Sequence, residues 1–185
     1  IGFFLFFLIF SYWLVSFTGD SSKVLLSILN MIIIVIPLIC LVFGTIYIYN
    51  NLNYITFMLT QPIKRNAIYS GLYFGLIISL FVCFTLGVGI PISLNFLIFT
   101  ESWNIVLLLF ITGFFQILIF TGFGFLIAIL NDDKLKGLGI SIFVWLFFSI
   151  IYDGLILYIL QTFQDYPLEK LALGLTLLNP IDLGR

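Results

Sequence analysis

Three long runs in this chain, 24–49, 68–99 and 103–130, contain no Asp, Glu, Lys or Arg. Each is longer than the roughly 20 apolar residues a helix needs to cross about 30 Å of hydrocarbon. With 63% hydrophobic and only 8% charged residues, and a mean hydropathy of +1.29, the chain has too much apolar surface for a water-soluble packing. Soluble domains carry about 25% charged residues, and much of a small domain stays outside its core. The composition therefore points to a polytopic membrane protein.

The runs are read as helices. Transmembrane strands would be about ten residues long and would alternate apolar with polar, and these do not. An open chain in lipid must also satisfy its backbone within a helix. The expected architecture is all-α, a single transmembrane domain over 1–185 with spans at about 1–17, 24–49, 68–99, 103–130 and 138–163. The first span has no initiator Met, no basic region ahead of it and no cleavage site, so it reads as a span entered partway. The chain as a whole is expected to be a fragment truncated at both ends. Cys40 and Cys83 lie in apolar runs and give no disulfide framework.

Alternate connections must share a side of the membrane. One set carries Lys64, Arg65, Lys134 and Lys136. The other carries Lys23, Lys170 and Arg185, offset by Asp20, Glu101, Asp165, Glu169 and Asp182. Basic pairs crowded against span ends orient a membrane protein, which puts 50–66 and 131–137 in the cytoplasm and the tail after 163 outside. Trp13, Trp103 and Tyr12, Tyr47, Tyr49 and Tyr69 fall near the expected interfaces, whereas Trp145 has no obvious place.

The segment 50–66 is too polar to span and too long for a tight turn. Pro62 ends any helix before it and biases Gln61 away from helical geometry. A short interfacial helix over about 53–60, a break at Gln61-Pro62, and a basic pair entering the next span are expected. Two readings stand: a solvated loop anchored by positive charge, or a docking element for a cytoplasmic protein. Beyond it, Gly71, Gly75, Ser79, Cys83 and Gly87 recur every fourth residue. Such a row of small residues lets membrane helices approach closely, and it is read as a helix–helix seam within the subunit or between two copies. Gly87-Val88-Gly89-Ile90-Pro91 is expected to loosen and kink the end of this span.

The stretch "MLTQPIKRNAIYSGLYFG", residues 58–75, resembles the region between the second and third helices of ABC-2 type transporter permeases. Within that class the chain is most similar to the copper-processing (NosY-type) permeases of nitrous oxide reductase maturation. "GVGIPISL" (87–94), "WLFFSIIYDGLILYIL" (145–160) and "LLNPIDLGR" (177–185) carry that similarity. The resemblance implies six helices, five of them present here, in a bacterial inner membrane. It implies a homodimer resting on a cytoplasmic ABC ATPase, with no directly bound cofactor and with ATP used by that ATPase. It further implies a periplasmic β-helix protein that receives copper, and no nucleic-acid partner. Asn53, Thr60, Gln61, Pro62, Lys64 and Arg65 would match the coupling element. Asn50, Asn51 and Asn53 stand where many relatives carry an acid–base pair, so that ion pair is missing.

Copper(I) favours thiolate and thioether ligands, and the soft groups are Cys40, Cys83, Met31 and Met58. Cys40 and Cys83 are expected at similar depth, as a transient thiol pair or as two small apolar residues. Asp153 is the one acidic residue deep within a span. Such groups face a bundle interior or a wet cavity, and functional and structural roles are both open for it. The segment 168–178 is expected as an outer interfacial or re-entrant helix. The following Asn179, Pro180, Asp182 and Arg185 read either as a cap with an exposed ion pair or as a surface for the periplasmic partner. No Walker motif, His-containing triad or zinc-protease motif is present. The expected role is a non-catalytic permease subunit. The rivals are an ABC-2 permease for a lipid, drug or polysaccharide, and an ATP-independent carrier or channel.

Overall fold

The computed structural model describes residues 2–17, 21–62, 64–95, 103–162, 174, 176 and 179–181. Helix α1 spans Gly2–Phe17, α2 Ser21–Asn50, α3 Leu52–Leu59, α4 Arg65–Leu94, α5 Trp103–Leu130 and α6 Lys134–Leu146. A π-helical turn, Phe147–Ile151, joins α6 to α7, Tyr152–Thr162. Among the described residues there is no strand. Also among the described residues, four helical stretches are long and apolar enough to cross a membrane: Lys23–Asn50, Arg65–Leu94, Trp103–Leu130 and Lys134–Ile159. Gly2–Ser16 is apolar but shorter. This is the build of a polytopic, membrane-embedded helical protein.

Two boundaries differ from the sequence expectation. The third span begins at Arg65 rather than 68 and runs unbroken through Gly87–Pro91 to Leu94. Pro91 costs this helix one backbone hydrogen bond, and packing against α1 holds the helix together through it. Asn95 closes the helix by donating its side-chain amide to the Pro91 carbonyl at 3.1 Å. The fifth span begins at Lys134 rather than 138, because Asp133 caps it by accepting from the Leu135 N–H at 2.9 Å. Lys134 and Lys136 are thus helical residues, not loop residues.

The helices pack as two groups. The most extensive packing joins α2 to α5, and α6 packs on α2 beside it; α1 packs along α4. Glycine decides both seams. A Cβ on Gly124 would stand 2.8 Å from the Leu41 carbonyl, and one on Gly44 3.2 Å from the Thr121 carbonyl, so α2 and α5 touch backbone to backbone. A Cβ on Gly87 would stand 2.8 Å from the Phe7 Cβ and 3.2 Å from the Phe4 carbonyl, which sets α1 against α4. The groups join where Phe84 lies on Gly113 and the Tyr73 hydroxyl donates to the Leu118 carbonyl at 2.8 Å.

Candidate functional site

At one end of the bundle the chain gathers the C-terminus of α2, helix α3, the N-terminus of α4, the C-terminus of α5 and the N-terminus of α6. Lys64, Arg65, Lys134 and Lys136 all stand there, exposed. Side chains tie the connections together. The Tyr49 hydroxyl donates to the carbonyls of Asn131 at 2.7 Å and Asp133 at 3.2 Å, and Lys134 Nζ donates to Asn50 Oδ1 at 3.1 Å. Gly137 passes beside the Tyr49 ring, with no room for a side chain.

Helix α3 stands where the sequence places a short helix between spans. Its apolar residues face mostly outward: Phe57 is 63% exposed, Tyr54, Leu52 and Leu59 are also exposed, and only Ile55 is buried. Asn51 continues the turn from α2, its N–H reaching the carbonyls of Tyr47 and Ile48 and its side-chain amide that of Tyr47. Thr60 and Gln61 close α3 onto the carbonyls of Phe57 and Met58. Asn53, Thr60, Gln61, Pro62, Lys64 and Arg65 are all exposed at this end. Asn53, Phe57 and Thr60 fall on one helix face, at spacings of four and three. Phe57 is the residue sequence reading passed over. Its signal was the same spacing, hidden because phenylalanine in so apolar a chain reads as membrane-facing.

The small-residue row does not form one seam within the chain. Of its glycines, only Gly87 is packed against another helix. Gly71, Gly75 and Ser79 are exposed and Cys83 is half-buried, and a Cβ on Gly71 or Gly75 would meet nothing within 4 Å. The close helix contact lies instead between α2 and α5, where Thr45 Oγ1 lies 3.2 Å from the Gly124 carbonyl, and Thr45 Oγ1 also meets Ser141 Oγ of α6 at 2.7 Å.

Cys40 and Cys83 are not a pair. Cys40 is buried on the α2–α5 seam, beside Thr121. Cys83 sits on α4 beside Phe84, which covers Gly113. Thr121 and Gly113 are eight residues apart on α5, which separates the two levels by about 12 Å. Among the described residues no group of three His, Cys, Asp or Glu side chains is placed to hold a metal.

The middle of the fifth span carries a second correction. Asn179 is not a surface residue; it is fully buried. Its side-chain amide donates to the Phe148 carbonyl at 3.0 Å, and its Oδ1 accepts from the Ile181 N–H at 3.1 Å. Phe148 lies in the π turn, and its ring rests on Phe120 and Phe123 of α5, within the bundle. A π turn shifts backbone carbonyls from i+4 to i+5 donors, and the asparagine adds a side-chain donor to the Phe148 carbonyl. Pro180 is half-buried beside it. Asp153 is half-buried in the first turn of α7, immediately past the π turn. Trp145 also finds its place: Nε1 donates to the Ile34 carbonyl of α2 at 3.0 Å, next to the carbonyl of Ile33 that Pro37 deprives of its helical donor. Asp182, Arg185 and most of 168–178 lie outside the described residues.

No protein-family model matches this chain, and no curated protein sequence matches it.

Proposed function

We propose that this chain is the membrane subunit of an ATP-driven ABC-2 type transporter, with the basic end in the cytoplasm and a separate ATPase seated on α3. The observation that carries this reading is the exposure of α3. A short helix with outward apolar residues, flanked by Lys64 and Arg65, is anchored at both ends to long helices. A helix buried in its own subunit would turn those side chains inward. A helix made for docking presents them, and an exposed aromatic anchor such as Phe57 is the type of side chain that dominates a protein interface.

Force on α3 has a defined path. The helix joins α2, which moves with α5 and α6 through the Gly44–Gly124 and Thr45–Ser141 contacts, to α4, which moves with α1 through Gly87. Displacing α3 shifts one group against the other. The π turn with its Asn179 support lies midway along the fifth span, and α7 continues from it and carries the movement away from the basic end.

The resemblance of "NPIDLGR" and the preceding spans to copper-processing permeases supports a finer reading. The moving outer end would serve copper-site maturation of nitrous oxide reductase through a periplasmic β-helix partner. Burial of Asn179 leaves that contact to residues other than its side chain.

The test is purification of the full-length protein together with the products of neighbouring genes. A co-purifying ATPase that is lost on Phe57→Asp supports the transporter reading. A protein that transports alone, with no ATPase bound, establishes the carrier reading instead. A co-purifying periplasmic β-helix protein selects the maturation system over lipid, drug or polysaccharide export.

A further inference from the structure

Between α3 and the first turns of α4 lies an open cleft of about 360 Å³, lined by Tyr54, Met58, Ala67, Ile68, Gly71 and Leu72. The two faces of α3 differ in what they meet. Tyr54 and Met58, one turn apart, border this cleft, while Asn53, Phe57 and Thr60 face elsewhere. Lys64 is the extended N-cap of α4, and its carbonyl accepts from the N–H of Ala67 in the cleft wall at 2.9 Å. Arg65, the first helical residue, precedes Ile68 by three and Leu72 by seven residues, the spacing of one helix face. The basic pair therefore heads the face of α4 that walls the cleft. Neither the Lys64 ammonium nor the Arg65 guanidinium has a hydrogen-bond or ion-pair partner among the described residues, whereas the Lys134 ammonium at the same end is bonded to Asn50.

Away from the basic pair, the cleft continues onto an open side of α4. A Cβ on Gly71 or Gly75 would meet nothing within 4 Å, and the neighbouring Phe74 and Ile78 are more than half exposed on a membrane-length helix. An occupant must then present negative charge at one end and an apolar chain at the other. We propose that this cleft binds an anionic phospholipid, with its phosphate on Lys64 and Arg65 and an acyl chain lying over Gly71 along α4. A peptide or a nucleotide satisfies the charged end alone. The inference requires only that the chain spans a bilayer, and it stands or falls separately from the docking of an ATPase through Asn53, Phe57 and Thr60 of α3.

The test uses the full-length protein carrying Met58→Trp, reconstituted in phosphatidylcholine vesicles. One-fifth of the lipid is acyl-brominated phosphatidylglycerol or acyl-brominated phosphatidylcholine, and quenching of the unsubstituted protein is subtracted. Two juxtamembrane basic residues, each worth about 1 kcal/mol toward anionic lipid, predict that phosphatidylglycerol reaches the introduced indole with about thirtyfold higher affinity than phosphatidylcholine. Adding Lys64→Gln and Arg65→Gln brings that ratio close to one. Adding Lys134→Gln and Lys136→Gln, which remove equal charge at the same end but outside the cleft, leaves it unchanged. Gly71→Leu, whose Cβ meets nothing within 4 Å, places an isobutyl group in the cleft and lowers quenching by both lipids. Equal quenching by the two lipids in the Met58→Trp protein overturns the proposal. An equal loss of preference in both double variants also overturns it, since that would reflect surface potential alone.

Discussion

The side-chain amide of Asn179 donates to the backbone carbonyl of Phe148 at 3.0 Å, inside the bundle, where α6 gives way to a π turn. The contact links a segment after the last described helix to the middle of the fifth span. It gives an irregular turn, within a helix surrounded by apolar groups, a side-chain donor in addition to its own backbone.

Removing that donor tests the link. Asn179→Leu keeps the side-chain bulk but leaves the Phe148 carbonyl and the Ile181 N–H without this partner, at a cost of about 1–3 kcal/mol. Thermal unfolding of the purified protein in detergent should show a lower midpoint. Pro180→Ala, at a half-buried position with no such bond, should change it little. Equal midpoints for Asn179→Leu and the unsubstituted protein would show that the π turn does not depend on the asparagine.

The two kinds of glycine predict opposite responses. Gly124→Ala places a Cβ at 2.8 Å from the Leu41 carbonyl and 3.2 Å from the Gly44 Cα, so α2 and α5 must part. Overpacking of this kind costs about 1–3 kcal/mol. Gly75→Ala meets nothing and gains helix propensity, worth up to about 1 kcal/mol. Unfolding midpoints should move down for the first and stay or rise for the second. The reverse order would place the tight seam on α4 instead.

The fold was legible in the sequence to the extent that bilayer thickness dictates it. Charge-free runs longer than a hydrocarbon span could only be helices, and Gln61-Pro62 could only interrupt one. What escaped was which faces meet. A row of small residues on α4 looked like the seam because its period of four is conspicuous. The seam that formed instead uses Gly44 and Thr45 against Thr121 and Gly124, a pairing of two helices that neither sequence displays alone. Gly137 and Ser141, four apart, carried a readable small-residue signal that was passed over. Asn179 looked like a surface residue because asparagine before proline is ordinary turn chemistry. Its true partner is a backbone carbonyl thirty-one residues away, and no side chain signals a π turn.

Gln116 offers a test of buried polarity. It is 2% exposed at the middle of α5, and neither its Nε2 nor its Oε1 has a hydrogen-bond partner among the described residues. An unsatisfied buried amide costs about 1–3 kcal/mol, so Gln116→Leu should hold or raise the unfolding midpoint. A clear fall would mean that the amide has a partner in the membrane-embedded protein, such as a bound water.

Thr45 and Ser141 should couple. Hydrogen bonds between membrane helices average about 0.6 kcal/mol. A double-mutant cycle of Thr45→Val and Ser141→Ala should return an interaction energy of that order, and a value of zero would separate α6 from the α2–α5 group.

The central claim is that α3 faces the cytosol and carries a separate ATPase. Phe57→Cys, probed with a membrane-impermeant maleimide, tests it in sealed vesicles of both orientations. The account predicts labelling only from the cytoplasmic side in membranes stripped of peripheral proteins, and protection once the ATPase is bound. Labelling from the opposite side, or labelling undiminished in the assembled complex, would contradict it.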